Sequence, residues 1–154
     1  MCSVLKELYT KVYDEEFNFS DFDSRVKLQK VVYLLENMGV NVGDYSFSWD
    51  KHGPYSISLD IDAKNCAKEP LQHDLKFSEK AERSIESIRI FLKTDTHYST
   101  LDFMECLASL HYLVNVSRIK AYKVCDELVK RKTYLNNDSD NLKILKLIEK
   151  VKIS

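Results

Sequence analysis

The stretch Ser46–Leu59, SFSWDKHGPYSISL, decides how the rest of the chain is read. Among 154 residues there are three glycines and two prolines, and one of each stands side by side at Gly53–Pro54. Just upstream, Tyr45, Phe47 and Trp49 alternate with serines, which is the period of a short half-buried strand over 45–49. Gly53 can take a positive φ, and Pro54 sets the next φ at about −65°. The spacing therefore predicts a strand, a sharp turn over 50–53, and a helix starting at Pro54–Ser56, where a missing N–H costs nothing. Such a helix start would turn free N–H groups and partial positive charge outward beside Trp49, His52 and Tyr55. That is a candidate site for an acidic side chain or another anion of a partner. The structural alternative is a turn that only packs Trp49 and Tyr55 against the preceding helix. Beyond Ser56 the pattern leaves two readings open. SISLDIDA alternates like a strand, whereas Leu59, Ala63 and Cys66 or Ala67 form a helix face with Ser56 as N-cap.

Working outward, SRVKLQKVVYLLENMG places Leu28, Val31, Val32, Leu35 and Met38 on one helical face, with Gly39 where a left-handed C-terminal cap belongs. Ser20 and Asp23 have capping-box spacing at its start, with Ser24 as a competing N-cap. Residues 3–13 read as a first helix, joined by a loop that Phe17, Phe19 and Phe22 pin to the core. Downstream, LKF suggests a second short strand near 74–77. Ser78 caps a helix through Lys93, and Ser99 with Asp102 caps TLDFMECLASLHYLVN, whose apolar circumference marks a central helix. Ile119, Tyr122, Leu128 and Val129 mark a further helix, and Leu142, Leu145, Ile148 and Val151 a last one. The fold class is mainly α: one domain over 1–154, six or seven helices and a small β element, with a winged-helix-like arrangement as one form of it.

Composition narrows the function classes. At 44% apolar and 31% charged the chain has a globular composition, and no apolar run reaches the roughly 18 residues of a membrane span. The charged N-terminus lacks the apolar segment of a signal peptide, so a cytoplasmic protein with reduced thiols is expected. Net charge is −1, without the basic excess common in nucleic-acid binders. Arg25, Lys27 and Lys30 near a helix start followed by a strand still make a candidate nucleic-acid face. His52, His73, His97 and His111 form no metal-ligand spacing, and His111 on the central helix reads as a hydrogen-bonded core histidine. No phosphate-cradling glycine loop and no nucleophile–base signature occurs. No enzyme, cofactor or metal is expected.

KLQKVVYLLENMG, then YSFSWDKHGPYSISL, then DFMECLASLHYL resemble the Panacea (SocA-like) antitoxin domain and its YwgA-like bacterial relatives. In that superfamily a Lys-Leu-Gln-Lys helix precedes an aromatic strand and a Tyr/His-Gly-Pro turn. YwgA-like members add a central helix with Leu-Glu-x-x-x-Ser-x-x-aliphatic. The similarity covers about Arg25 to Leu128. It implies a mostly helical domain in which 56–66 is helical, a bacterial or phage protein, and a non-enzymatic module that binds a protein partner. An antitoxin, an adaptor or a phage-encoded inhibitor would work this way. Such a module would engage its partner through the turn described above, with Trp49, His52, Gly53, Pro54, Tyr55 and Ser56 as the partner-binding residues, and through the adjoining helix faces. The alternative is a winged-helix-like nucleic-acid binder using Arg25, Lys27 and Lys30.

Overall fold

The computed structural model describes residues 2–70 and 75–153. Among them the chain forms α1 (Cys2–Tyr13), α2 (Phe22–Asn37), β1 (Ser48–Asp50), β2 (Gly53–Tyr55), α3 (Ile57–Cys66), α4 (Glu79–Phe91), α5 (Thr100–Asn115), α6 (Ala121–Arg131) and α7 (Asp138–Leu145). A 3₁₀ turn at Ile148–Lys150 ends the chain. No helix among the described residues is long and apolar enough to cross a membrane.

The centre is α2 against α5. α1 packs across α2, α3 and α4, while α6 and α7 cover the other side of α5. Leu28, Val31, Val32 and Leu35 of α2 are buried as their spacing predicts, and Leu34 is buried too. Each such side chain contributes about 2 kcal/mol on leaving water. From Phe103 to His111 every residue of α5 is buried, because helices cover it on several sides. α2 ends in a Schellman motif. Gly39 at φ 86° donates its N–H to the Glu36 carbonyl at 3.0 Å, and Val40 donates to Leu35 at 2.9 Å.

Several expectations need correction. β1 begins at Ser48, and its neighbour is β2 of the same hairpin; residues 75–77 form no strand, and position 74 lies outside the described residues, as does His73. Pro54 lies within β2, so α3 starts only at Ile57, with Ser56 as N-cap. The alternating 56–66 segment is helical from Ile57 onward. Asp21, not Ser20 or Ser24, caps α2: its carboxylate accepts the Asp23 N–H at 3.1 Å, while the Ser24 hydroxyl accepts the Asn18 N–H at 3.0 Å. Phe22 is 48% exposed rather than pinned inward.

Tyr122 and Leu142 are exposed. On α7 the buried positions are Asp140, Asn141 and Ile144: Ile144 joins the apolar core, and polar partners meet the other two. Asp140 Oδ2 accepts the His97 backbone N–H at 2.8 Å, and Asn141 Oδ1 accepts from the Tyr98 hydroxyl at 2.7 Å. Cys66 is disulfide-bonded, against the reduced state expected, whereas Cys106 and Cys125 are free. His111 is the core histidine its position suggests. Its Nε2–H donates to the Val151 carbonyl at 3.1 Å, and Nδ1 accepts from the Tyr33 hydroxyl at 2.7 Å, tying the chain's last turn to the core.

One carboxyl in the last turn of α2 sets a pH dependence. Burial, with a smaller push from the Asp44 charge and against the Tyr45 backbone N–H, lifts the Glu36 carboxyl from 4.5 to about 7, and its Oε1 is buried without a partner among the described residues. Between those two values the folded state holds a proton that the unfolded chain has released, so stability is lost as pH rises through this window. Glu36→Gln is expected to raise stability by about 1 kcal/mol near pH 8, after allowance for solvent screening of a partly exposed group. Near pH 4 the gain should shrink to a few tenths of that (roughly). Urea midpoints at the two pH values check it, and an equal gain at both would reject the assignment.

Candidate functional site

β1 and β2 pair antiparallel with Ser48 opposite Tyr55, Trp49 opposite Pro54 and Asp50 opposite Gly53. Lys51 and His52 turn the chain, and Gly53 follows at φ 90°, in the left-handed region that favours glycine. A lone two-stranded hairpin is marginal in water. Here side chains from the helices supply the missing support. The Gln29 amide pairs with the Ser56 backbone in both directions, at 2.9 Å each, as a neighbouring strand would. Lys30 Nζ donates to the Pro54 carbonyl at 2.8 Å, and Lys132 Nζ donates to the Lys51 carbonyl. The Ser109 hydroxyl of α5 faces Gly53 so closely that a side chain there would overlap it.

Beneath the turn lies a charged cluster. Glu105 is 2% exposed; its Oε1 meets His52 Nδ1 at 3.1 Å, and its Oε2 accepts from the Tyr134 hydroxyl and stands 3.7 Å from Lys132 Nζ. Lys30 and Lys132 are 1% and 2% exposed. Two buried ammonium groups thus share one buried carboxylate. Burial lowers the Lys30 ammonium from 10.5 to about 7, with Lys132 adding to the effect and Glu105 and Asp50 opposing it. Burial also lowers Lys132, against the pull of Glu105.

Over this floor opens a cleft of about 210 Å³, lined among others by Phe22, Arg25, Lys30, Asp50, His52, Tyr55 and Asp60. Phe22 meets the His52 ring edge-on at 5.0 Å. The Arg25 guanidinium stands over the rings of Phe19 and Phe22 at 5.1 and 5.8 Å. Trp49 lies on the far side of the hairpin. It packs against Tyr112 of α5 at 5.7 Å, with the cations of Arg131 and Lys132 5.3 and 5.0 Å from its ring, and not against α2.

The structure divides the residues singled out in the sequence. Trp49, His52 and Tyr55 are partly exposed; Gly53, Pro54 and Ser56 are buried and shape the backbone. The Ser56 hydroxyl takes the Leu59 N–H at 3.3 Å, and Asp60 occupies the first turn of α3, so that helix start offers no open anion site of its own. Arg25, Lys27 and Lys30 do not share a face. Arg25 reaches the cleft from its rim and Lys30 lies buried in its floor, whereas Lys27 turns away to pair with Glu15 and lie over Tyr13. Sequence reasoning missed Glu105, Ser109, Lys132, Tyr134, Asp50 and Asp60. For Glu105 and Ser109 a signal was present, because the Glu-x-x-x-Ser spacing of the resemblance falls on them. Lys132 and Tyr134 carried none, since they lie far along the chain from the turn they support. In comparison with known proteins, no family model, no curated protein and no solved structure matches the chain.

Proposed function

We propose that this chain is a non-enzymatic protein-binding module of the Panacea (SocA-like) kind, which engages a protein partner and neutralises or delivers it. The observation that carries this reading is the braced hairpin edge beside an open cleft, with Phe22, His52 and Tyr55 partly exposed on a backbone held by buried Gln29, Lys30, Lys132 and Glu105. A surface already in its bound shape loses little entropy on association, and aromatic anchors dominate interface energies. The winged-helix-like alternative loses support, because Arg25, Lys27 and Lys30 form no common exposed basic face: Lys27 is paired with Glu15 and Lys30 is buried.

The test uses the full chain as bait in a native lysate. The captured protein is then produced separately and titrated against wild type, Phe22→Ala and Tyr55→Ala. Both aromatic side chains are partly exposed, so the variants should fold, which circular dichroism checks. The expected result is a one-to-one complex weakened about tenfold or more by each substitution. Equal affinity of all three proteins for the reconstituted partner would rule out this surface.

A further inference from the structure

We infer that the cleft beside the hairpin is a carboxylate-recognition pocket, which takes an acidic group of a peptide chain between Arg25 and His52, above Lys30. The inference rests on the protein-binding reading and adds the chemistry of what is recognised.

Three observations carry it. First, the Arg25 guanidinium makes no hydrogen bond or ion pair among the described residues; it lies over the two phenylalanine rings, within electrostatic reach of Tyr55. A guanidinium stacked on ring faces keeps its in-plane donor fork for a planar acceptor such as a carboxylate. Second, the floor holds cationic groups with donors to spare. Lys30 and Lys132 are buried over the single buried carboxylate of Glu105, and Lys30 Nζ uses one of its three donors, on the Pro54 carbonyl. An anion above Lys30 would repay part of the burial of that ammonium. Third, the opposite wall selects among anions. Asp50 of β1 and Asp60 of α3 face the same space and would repel a bare multivalent anion, but they can accept N–H groups that accompany a peptide carboxylate. Phe22 and Tyr55 offer apolar wall to the aliphatic part. A cleft of about 210 Å³ suits one side chain or chain end better than a nucleotide.

A pH dependence belongs to this pocket. The charges acting on Lys30 are Glu105 from α5, Lys132 from beyond α6 and Asp50 from β1, and Arg25 from α2, His52 from the turn, Tyr55 from β2 and Asp60 from α3 line the same cleft. Burial leaves Lys30 only part-charged near neutrality, so a bound carboxylate favours its charged form, and binding tightens as pH falls towards about 6.

The experiment is an NMR titration of the intact protein with N-acetylglutamine, N-acetylglutamate α-amide and N-acetylglutamine amide. The first carries only a chain-terminal carboxylate, the second only a side-chain carboxylate, the third none. At least one of the first two is expected to shift the amide signals of Phe22, Arg25 and Tyr55, and whichever does so identifies the source of the carboxylate. Binding should weaken about fivefold from about pH 6 to about pH 9, and about tenfold or more in Arg25→Gln. If Lys30→Met folds, it should lose the pH dependence; if it does not fold, Arg25→Gln decides alone. Binding of the uncharged amide as tight as that of the acids, an unaffected Arg25→Gln, or tighter binding of inorganic phosphate would overturn the inference. Should the carboxylates fail while Phe22→Ala and Tyr55→Ala still lose the reconstituted partner, the binding module stands and only its chemistry falls. Carboxylate binding without any partner lost on those substitutions would mean the reverse.

Discussion

Glu105→Gln is expected to cost about 3–5 kcal/mol of stability, a large share of what a domain of this size has. Among the described residues this carboxylate is the one buried anion beside the two buried ammonium groups, and three neighbours meet it: His52, Lys132 and Tyr134. Glutamine keeps the shape and can still accept one hydrogen bond, but it removes the charge. Lys132, at 2% exposure, then has no counter-charge within ion-pair distance, and Lys30 loses the strongest pull that keeps it protonated.

The sign with pH follows. Both lysines already sit below their ordinary value because folding desolvates them, so the unfolded chain binds more protons and stability rises with pH, for Lys30 from about 7 towards 10.5. Removing Glu105 deepens this dependence. The loss should therefore be largest near pH 6 and smaller near pH 9, where the ammonium groups can neutralise. Urea unfolding at both values measures it. A second substitution, Lys132→Met, should recover a good part of the loss by removing the orphaned charge. A loss below about 1 kcal/mol, or one independent of pH, would mean that the cluster is open to water.

The second large effect is at Gly53. An alanine there must hold a φ of 90°, which costs about 1–3 kcal/mol, and its methyl group would overlap the Ser109 hydroxyl, which costs a similar amount. The two causes can be separated. The Ser109 hydroxyl is buried without a hydrogen-bond partner among the described residues, so Ser109→Ala alone should change stability little. In the double variant the overlap disappears, because the Ser109 Cβ stands 3.6 Å from the added methyl position. Only the backbone strain should remain. Thermal unfolding of the four proteins gives the coupling, and additive losses would show that the hairpin and α5 do not meet as described.

Much of the fold follows from local rules. The face made by Leu28, Val31, Val32 and Leu35 needs only helical periodicity, and Gly39 needs only the left-handed cap that ends such a helix. Ser78 and Ser99 cap the helices their spacing announces, since the hydroxyl and the N–H it accepts lie three residues apart. The helix after Ser56 was undecided by pattern, because Ile57 and Ile61 alternate with polar residues yet end up exposed. Tertiary contact settled it: Leu59, Ala63 and Cys66 are the positions that α1 and α2 cover.

The chain by itself determined the helices other than α3, most of their caps and the left-handed corner at Gly53, because each depends on residues a few positions apart. Only the tertiary structure decided what that corner rests on. Lys30, Glu105 and Lys132 are 75 and 27 residues apart in sequence and look like ordinary surface charges on their own segments. Packing α2, α5 and the end of α6 around one hairpin takes them out of water together. A charge gains its meaning from its dielectric and its neighbours, and neither is written in local spacing.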